Sequence, residues 1–294
     1  MRITVHLTFA VLATGLASPA LADEADWQQV EKALGVSGSM EPGEVYKVSL
    51  PRSDLKVTAD GVPVKAAFAL GSWLAFKQAG EEAMVMGDLV LTPDEVNLVI
   101  SKLEEGGIQI TALRHHLDNL EPDVLFMHVG GEGDAVKLAE ALRAGLALSK
   151  TPIGQASAKA VEKLPLDTAE LDQIIGRQGK ASGGVYHFTV ARAEQVTAAG
   201  MAIPPAMGTA TAINFQPTGH GKAAITGDFV MTANEVNPVI RALREHDIKV
   251  EALHNHMLNE APRLFFMHFW ANDDAQKLAR GLHAALDQMN VAAE

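Results

Sequence analysis

One pattern is written twice in this chain, and a duplicated unit dictates both the domain count and the places where equivalent side chains recur. Residues 87–145 align without a gap on residues 227–285 at a constant offset of 140, and 27 of the 59 pairs are identical. The identities include polar residues that packing alone does not demand: Asn97 with Asn237, His116 with His256, Asn119 with Asn259, and His128 with His268. A chain built this way is expected to fold as two similar domains.

The ends and the composition narrow the class. Residues 1–22 carry Arg2, an apolar run and Ala20-Leu21-Ala22 ahead of an acidic stretch, the layout of a signal peptide with cleavage before Asp23. The run is shorter than the ~20 apolar residues of a spanning helix, and no later run reaches that length. A periplasmic or secreted protein without a membrane span is the expectation. The net charge of −12 argues against nucleic acid and anionic membrane surfaces as partners. No cysteine is present, which excludes disulfides, a lipid-bearing N-terminal cysteine, thiolate metal sites and thiol nucleophiles. The expected organisation is a first repeat at 23–149, a linker rich in Ala, Ser and Pro at 150–166, and a second repeat at 167–294.

Each repeat opens with a short amphipathic segment and strand-like stretches such as Val45 to Leu50 and Val185 to Val190. Thr92 with Glu95, and Thr232 with Glu235, form the Thr-x-x-Glu capping box that opens a helix, with Pro93 suited to the first turn. Two strands and a second helix follow in each copy. The fold class predicted is α+β: two tandem repeats, each with antiparallel strands and a ferredoxin-like strand-helix-strand-strand-helix unit.

Strand side chains alternate between faces, so residue parity decides which of them share a surface. If Leu253 and Met257 pack on the helices, then Val250, Ala252, His254 and His256 face the other way, as do Ile110, Ala112, Arg114 and His116 in the first copy. Parity leaves His128 and His268 open, because both alternate sets on their strands are otherwise apolar. Pointing away from the helices, His268 would join His254 and His256 in a three-nitrogen set for zinc or copper with an open position. Arg114, His116 and His128 would form a set better suited to an anion. Packing of the two open faces would bring both sets into a cleft between the domains.

Plainer readings account for several residues. A histidine on an apolar strand is commonly a core or interface residue. Glu95 and Glu235 are explained by capping, Asp134 and Asp274 by helix N-caps, and Asn119 and Asn259 by turns before Pro122 and Pro262. Asn97 and Asn237 are harder to dismiss, since Asn is a poor helix-interior residue, and they are candidates for the cleft. Met127 and Met267 adjoin the matched histidines, and a thioether beside imidazole would suit copper. No phosphate-binding loop, nucleophile elbow, H-E-x-x-H helix or dinucleotide fingerprint occurs.

The repeated pattern GD-x-V-x-T-x-x-E-V-N, then A-L-x-x-H, then F-M-H, is carried by Gly87 to Asn97, Ala112 to His116 and Phe126 to His128, and again by Gly227 to Asn237, Ala252 to His256 and Phe266 to His268. It resembles the LppY/LpqO family of exported bacterial proteins. That resemblance implies export but no activity, and it supplies no catalytic residues. The chain thus reads as an exported binding protein for a metal ion or small anionic ligand. A metal-assisted hydrolase acting on a cell-envelope component, and an interaction module with structural histidines, are the alternatives.

Overall fold

The computed structural model describes residues 27–154 and 163–293. The predicted signal peptide and the middle of the predicted linker lie outside these residues. The first repeat runs α1 (Trp27–Leu34), β1 (Ser39–Glu41), β2 (Val45–Pro51), β3 (Val57–Ala59), β4 (Val62–Val64), α2 (Ala66–Ala69), β5 (Gly71–Ala79), β6 (Glu82–Leu91), α3 (Pro93–Glu105), β7 (Gln109–Arg114), β8 (Leu120–Glu121), β9 (Leu125–Gly133) and α4 (Ala135–Leu146). The second runs α5 (Thr168–Ile175), β10 (Lys180–Ser182), β11 (Val185–Ala191), β12 (Val196–Ala198), β13 (Met201–Ile203), β14 (Ala210–Gly219), β15 (Lys222–Met231), α6 (Ala233–Glu245), β16 (Lys249–His254), β17 (Phe265–Asp274) and α7 (Ala275–Leu286).

The α+β class and the repeat are as the sequence implied. Each repeat builds one six-stranded sheet, in the orders β1-β2-β5-β6-β9-β7 and β10-β11-β14-β15-β17-β16. Neighbouring strands are antiparallel throughout. In the first sheet β6 and β7 flank β9, with α3 connecting them, which is the split arrangement of a ferredoxin-like unit. The fourth strand of that unit is β5, which precedes β6 in the chain instead of following the last helix. Both capping boxes form, at Thr92 with Glu95 and Thr232 with Glu235. The glycine of each repeated Gly-Asp pair has a steric cause: a methyl at Gly227 would overlap the Ala212 carbonyl on the adjacent strand.

Helices cover one face of each sheet. Val30, Val99, Leu103, Leu138 and Leu142 pack on Met127 and Val129 in the first repeat, and Val239, Leu243, Leu278 and Leu282 pack on Met267 and Phe269 in the second. The opposite faces meet each other. Phe68, Val90 and Phe126 share a core with Ala224 and Trp270. On the other side Met84 and Met86 share one with Val230, Met257 and Phe266. Burial of each large side chain here is worth about 1.5–3 kcal/mol, so these two apolar blocks hold the repeats sheet to sheet.

Strand parity does not hold along the whole of β7 and β16. Each strand carries a bulge, between Ile110 and Ala112 and between Val250 and Ala252, so the alternation flips midway. Ile110 and Val250 therefore pack on the helical side. Leu253 does not pack there; it is 47% exposed, as its counterpart Leu113 is 41% exposed. Met257 lies in the core between the repeats.

Candidate functional site

Between the apolar blocks lies a polar chamber assembled from equivalent strand positions. Asp88 on β6 pairs in register with His128 on β9, and His128 pairs in turn with Ala112 on β7. Asp228, His268 and Ala252 repeat this row in the second sheet. The small alanines leave space over each histidine for the side chains that leave the ends of β7 and β16. His116 stacks on His268 of the other repeat, ring centres 3.7 Å apart, and His256 stacks on His128 at 3.8 Å. Each of the crossing rings is backed by a phenylalanine, His116 by Phe126 and His256 by Phe266, both at 3.5 Å.

The structure answers the orientation question for His128 and His268: both point away from the helices. His116, His128, His254, His256, His268 and Arg114 come together in one chamber. Asn97 and Asn237 do not, because both are exposed on α3 and α6, on the far side of the sheets. Met127 and Met267 face the helical cores, so neither thioether accompanies the histidines. Glu95 and Glu235 are also remote; besides capping, they are buried partners of Arg52 and Arg192.

Two carboxylates complete the chamber that the histidines alone had suggested. Asp88 Oδ2 lies 3.6 Å from Nε2 of both His116 and His128, and 3.7 Å from Arg114 Nη2. Asp228 Oδ2 lies 3.3 Å from His256 Nε2, and its Oδ1 lies 3.9 Å from His268 Nε2. The aspartates stood in the sequence as the second residue of each repeated Gly-Asp pair. Their signal was a charged residue kept in both copies inside an otherwise apolar strand.

The grouping of donors differs from the expected His254, His256 and His268 trio. The donor atoms that converge within 4.8 Å of one another are those of Asp228, His256 and His268, and those of His116, His254 and His268. Arg114 Nε donates to His254 Nε2 at 3.0 Å. With that lone pair engaged, the proton of a neutral His254 sits on Nδ1, which is buried without a partner. His268 is prepared differently. Its Nδ1 bonds the Gly227 carbonyl at 2.8 Å, leaving the Nε2 lone pair directed into the chamber, the orienting contact typical of a metal-bound histidine.

Electrostatics describe a chamber short of positive charge on its carboxylates and intolerant of protonated imidazole. Burial pushes Asp88 up to about 6. Burial, reinforced by Asp88 against the opposing pull of Arg114, pushes Asp228 up to about 8. Burial and then Arg114 lower His254 to about 2 and His268 to about 3. Burial also holds His116, His128 and His256 well below the usual imidazole range, with neighbouring histidines and Arg114 adding to it. Among the described residues, ten of the twelve buried side-chain polar atoms without a hydrogen-bond partner belong to this chamber. Such atoms ordinarily cost about 1–3 kcal/mol each, and their concentration at one place marks this chamber as the candidate site.

Among solved structures, a trimeric bacterial microcompartment shell protein, PduB, is 13% identical over 87% of this chain and 96% of that chain, with a TM-score of 0.23. EtuB from Clostridium kluyveri is 11% identical over 85% of this chain and 88% of its own, with a TM-score of 0.20. No curated protein matches the sequence. The family model described as Domain of Unknown Function (DUF1259) matches residues 28–148 and 169–288, one match for each repeat, and the chain belongs to that family.

Proposed function

We propose that this is an exported protein that binds one divalent transition-metal ion between its repeats, with Asp228, His256 and His268 as ligands. The concentration of unpartnered buried donors and acceptors carries the reading. Two neutral imidazoles and a carboxylate fit zinc, and with the flanking thioethers turned away copper has less to hold it. Export rests on the predicted signal peptide and on the resemblance to the LppY/LpqO proteins. A metal-assisted hydrolase is the second reading: three protein ligands leave a position for water, and Asp88 provides another carboxylate in the same chamber. The test is elemental analysis of the untagged chain 23–294 after zinc loading and dialysis. One zinc per chain is expected, absent from a His256→Ala/His268→Ala double variant; a wild-type chain that retains no ion sinks the proposal.

The pH dependence should be that of a carboxylate. The histidines are already neutral at pH 7, whereas Asp228 titrates near 8 and must lose its proton to ligate. Zinc binding at pH 7 is therefore expected to release about one proton, and affinity to rise roughly tenfold per pH unit from 6 toward 8 before levelling. Calorimetry in buffers of different ionisation enthalpy reads the proton count directly. Release confined to pH below 6.5 would identify imidazoles as the titrating ligands instead.

A further inference from the structure

Two groups of donors converge in the chamber, and they share His268. The proposed ion takes the first group, Asp228 with His256 and His268. The second, His116 with His254 and His268, does not make a second ion position. Nδ1 of His268 is taken by the Gly227 carbonyl, so a single nitrogen of that ring remains and it serves one ion. His116 and His268 lie ring on ring, 3.7 Å apart and 23° from parallel, so their lone pairs run in separate planes and do not converge. In His254 the Nε2 lone pair is engaged by Arg114 at 3.0 Å and Nδ1 carries the proton, which leaves neither nitrogen free to ligate.

What the second group offers is a hydrogen-bond donor beside the ion. The His254 ring stands 5.0 Å from that of His256 and 4.9 Å from that of His268, centre to centre, next to both histidine ligands. Its Nδ1 is buried and has no acceptor among the described residues. Charge points the same way. Arg114 lies 3.7 Å from Asp88, so those two charges offset each other. A divalent ion then faces the single carboxylate of Asp228, and a surplus positive charge is left in a buried chamber, where an unbalanced charge is costly. Three protein ligands also leave one coordination position to be filled from outside the chain.

We infer that a small monovalent anion fills that position, bound to the ion and accepting a hydrogen bond from Nδ1 of His254. Arg114 is the positioning residue: by donating to Nε2 it fixes the proton on Nδ1 and makes His254 a donor to the anion instead of a ligand to the metal. The residue equivalent to Arg114 in the second copy is His254 itself, so the chain holds the device once. The inference rests on the proposed ion, which is tested separately by metal content.

Chain 23–294 loaded with cobalt(II), its metal content measured first, is titrated with sodium azide while the visible d–d bands are followed. Azide is expected to bind at one equivalent and shift the bands at millimolar concentration. His254→Leu and Arg114→Met, each shown to hold one cobalt, should weaken azide at least tenfold, as loss of a hydrogen bond to a charged group does. X-ray absorption separates the two roles. Wild type and His254→Leu should hold cobalt with two imidazoles, whereas Arg114→Met, with Nε2 of His254 released, should hold it with three. Bands unmoved by azide in cobalt-loaded wild type, or azide affinity undisturbed in His254→Leu, overturn the anion contact. An imidazole count still at two in Arg114→Met overturns the positioning role. A wild type that retains no cobalt defeats the ion itself, and metal content shows this before any azide is added.

Discussion

Replacing Arg52 by Met is expected to lower the stability of the chain by about 3–5 kcal/mol, roughly 10 °C in Tm for a chain of this size. Arg52 is completely buried, and its guanidinium bonds both Glu95 oxygens, at 2.8 and 3.3 Å, as well as the Val90 carbonyl at 2.7 Å and Asp54 at 2.9 Å. Glu95 in turn accepts from the backbone N–H groups of Thr92 and Lys150. The ion pair therefore ties the strand end at Arg52, the start of α3 and the segment after α4. Removing the arginine strands a buried carboxylate, which is why truncating one partner costs more than the pair contributes net. Arg192 and Glu235 repeat the arrangement, but Arg192 Nε has no partner where Arg52 Nε has Asp54, so Arg192→Met should cost less. Burial alone would raise Glu95, yet the bonds from Arg52, Thr92 and Lys150 outweigh it and leave it below the usual carboxylate range. Its stabilisation is present above the unfolded value near pH 4 and is lost as pH falls through the folded one. Denaturant titration of the three proteins at pH 7 and pH 4 measures both effects; equal stability of wild type and Arg52→Met at pH 7 would falsify the tie.

How much of this was legible in the residues follows from what kind of signal each carried. The helices were readable because Thr92 and Glu95, and their counterparts, advertise a cap and precede apolar residues at helical spacing. The repeat made the two-repeat α+β organisation readable without any alignment to other proteins. The facing of Val250 and Ile110 was misread because a bulge is a backbone event: nothing in Val250-Glu251-Ala252 marks the residue that drops out of register. Asn97 and Asn237 misled because identity between copies does not separate a solvent-facing helix position from a cleft. The chamber was half readable. Histidines in both copies drew attention, whereas Asp88 and Asp228 hid inside the strand motif. Their role depends on cross-strand register and on a neighbouring repeat, both long-range features that a linear pattern does not encode.

Duplication also explains why the chamber is lopsided. A symmetric pair of repeats would give two equal half-sites, yet Arg114 faces His254 where a histidine would otherwise stand, and its permanent charge lies 3.7 Å from Asp88. Arg114 thus supplies the first-repeat aspartate with a fixed cation. Among the described residues Asp228 has no arginine within ion-pair distance and feels Arg114 only across the chamber, while the Oδ1 atoms of both aspartates are buried and unpaired. The side of the chamber that lacks a built-in cation is the side where an external one has most to offer, and it is where Asp228, His256 and His268 converge.

Asp228→Asn is accordingly expected to make the metal-free protein more stable and the zinc-treated protein less so. In the metal-free fold Asp228 titrates near 8, against about 3.9 for an unfolded aspartate. Between these values the folded carboxyl keeps a proton that the unfolded chain has released, so its contribution to stability falls as pH rises. The resulting cost, absent below pH 4, reaches at most about 4 kcal/mol at pH 7. Asparagine is never ionised and escapes it. The lowered histidines act in the opposite sense, since below 6.5 the unfolded chain takes up protons that the folded one refuses. Both proteins share that trend, so subtracting one stability curve from the other isolates Asp228: near zero at pH 4, growing in favour of the variant toward pH 8. Zinc reverses the order. An ion present at a thousand times its Kd adds about 4.1 kcal/mol to the wild type, while the variant has lost the one anionic ligand of the set. Thermal denaturation of both proteins with and without zinc at pH 7 should therefore show the curves crossing. A variant that is less stable than wild type in both conditions would mean that Asp228 is held by hydrogen bonds and serves the fold, not an ion.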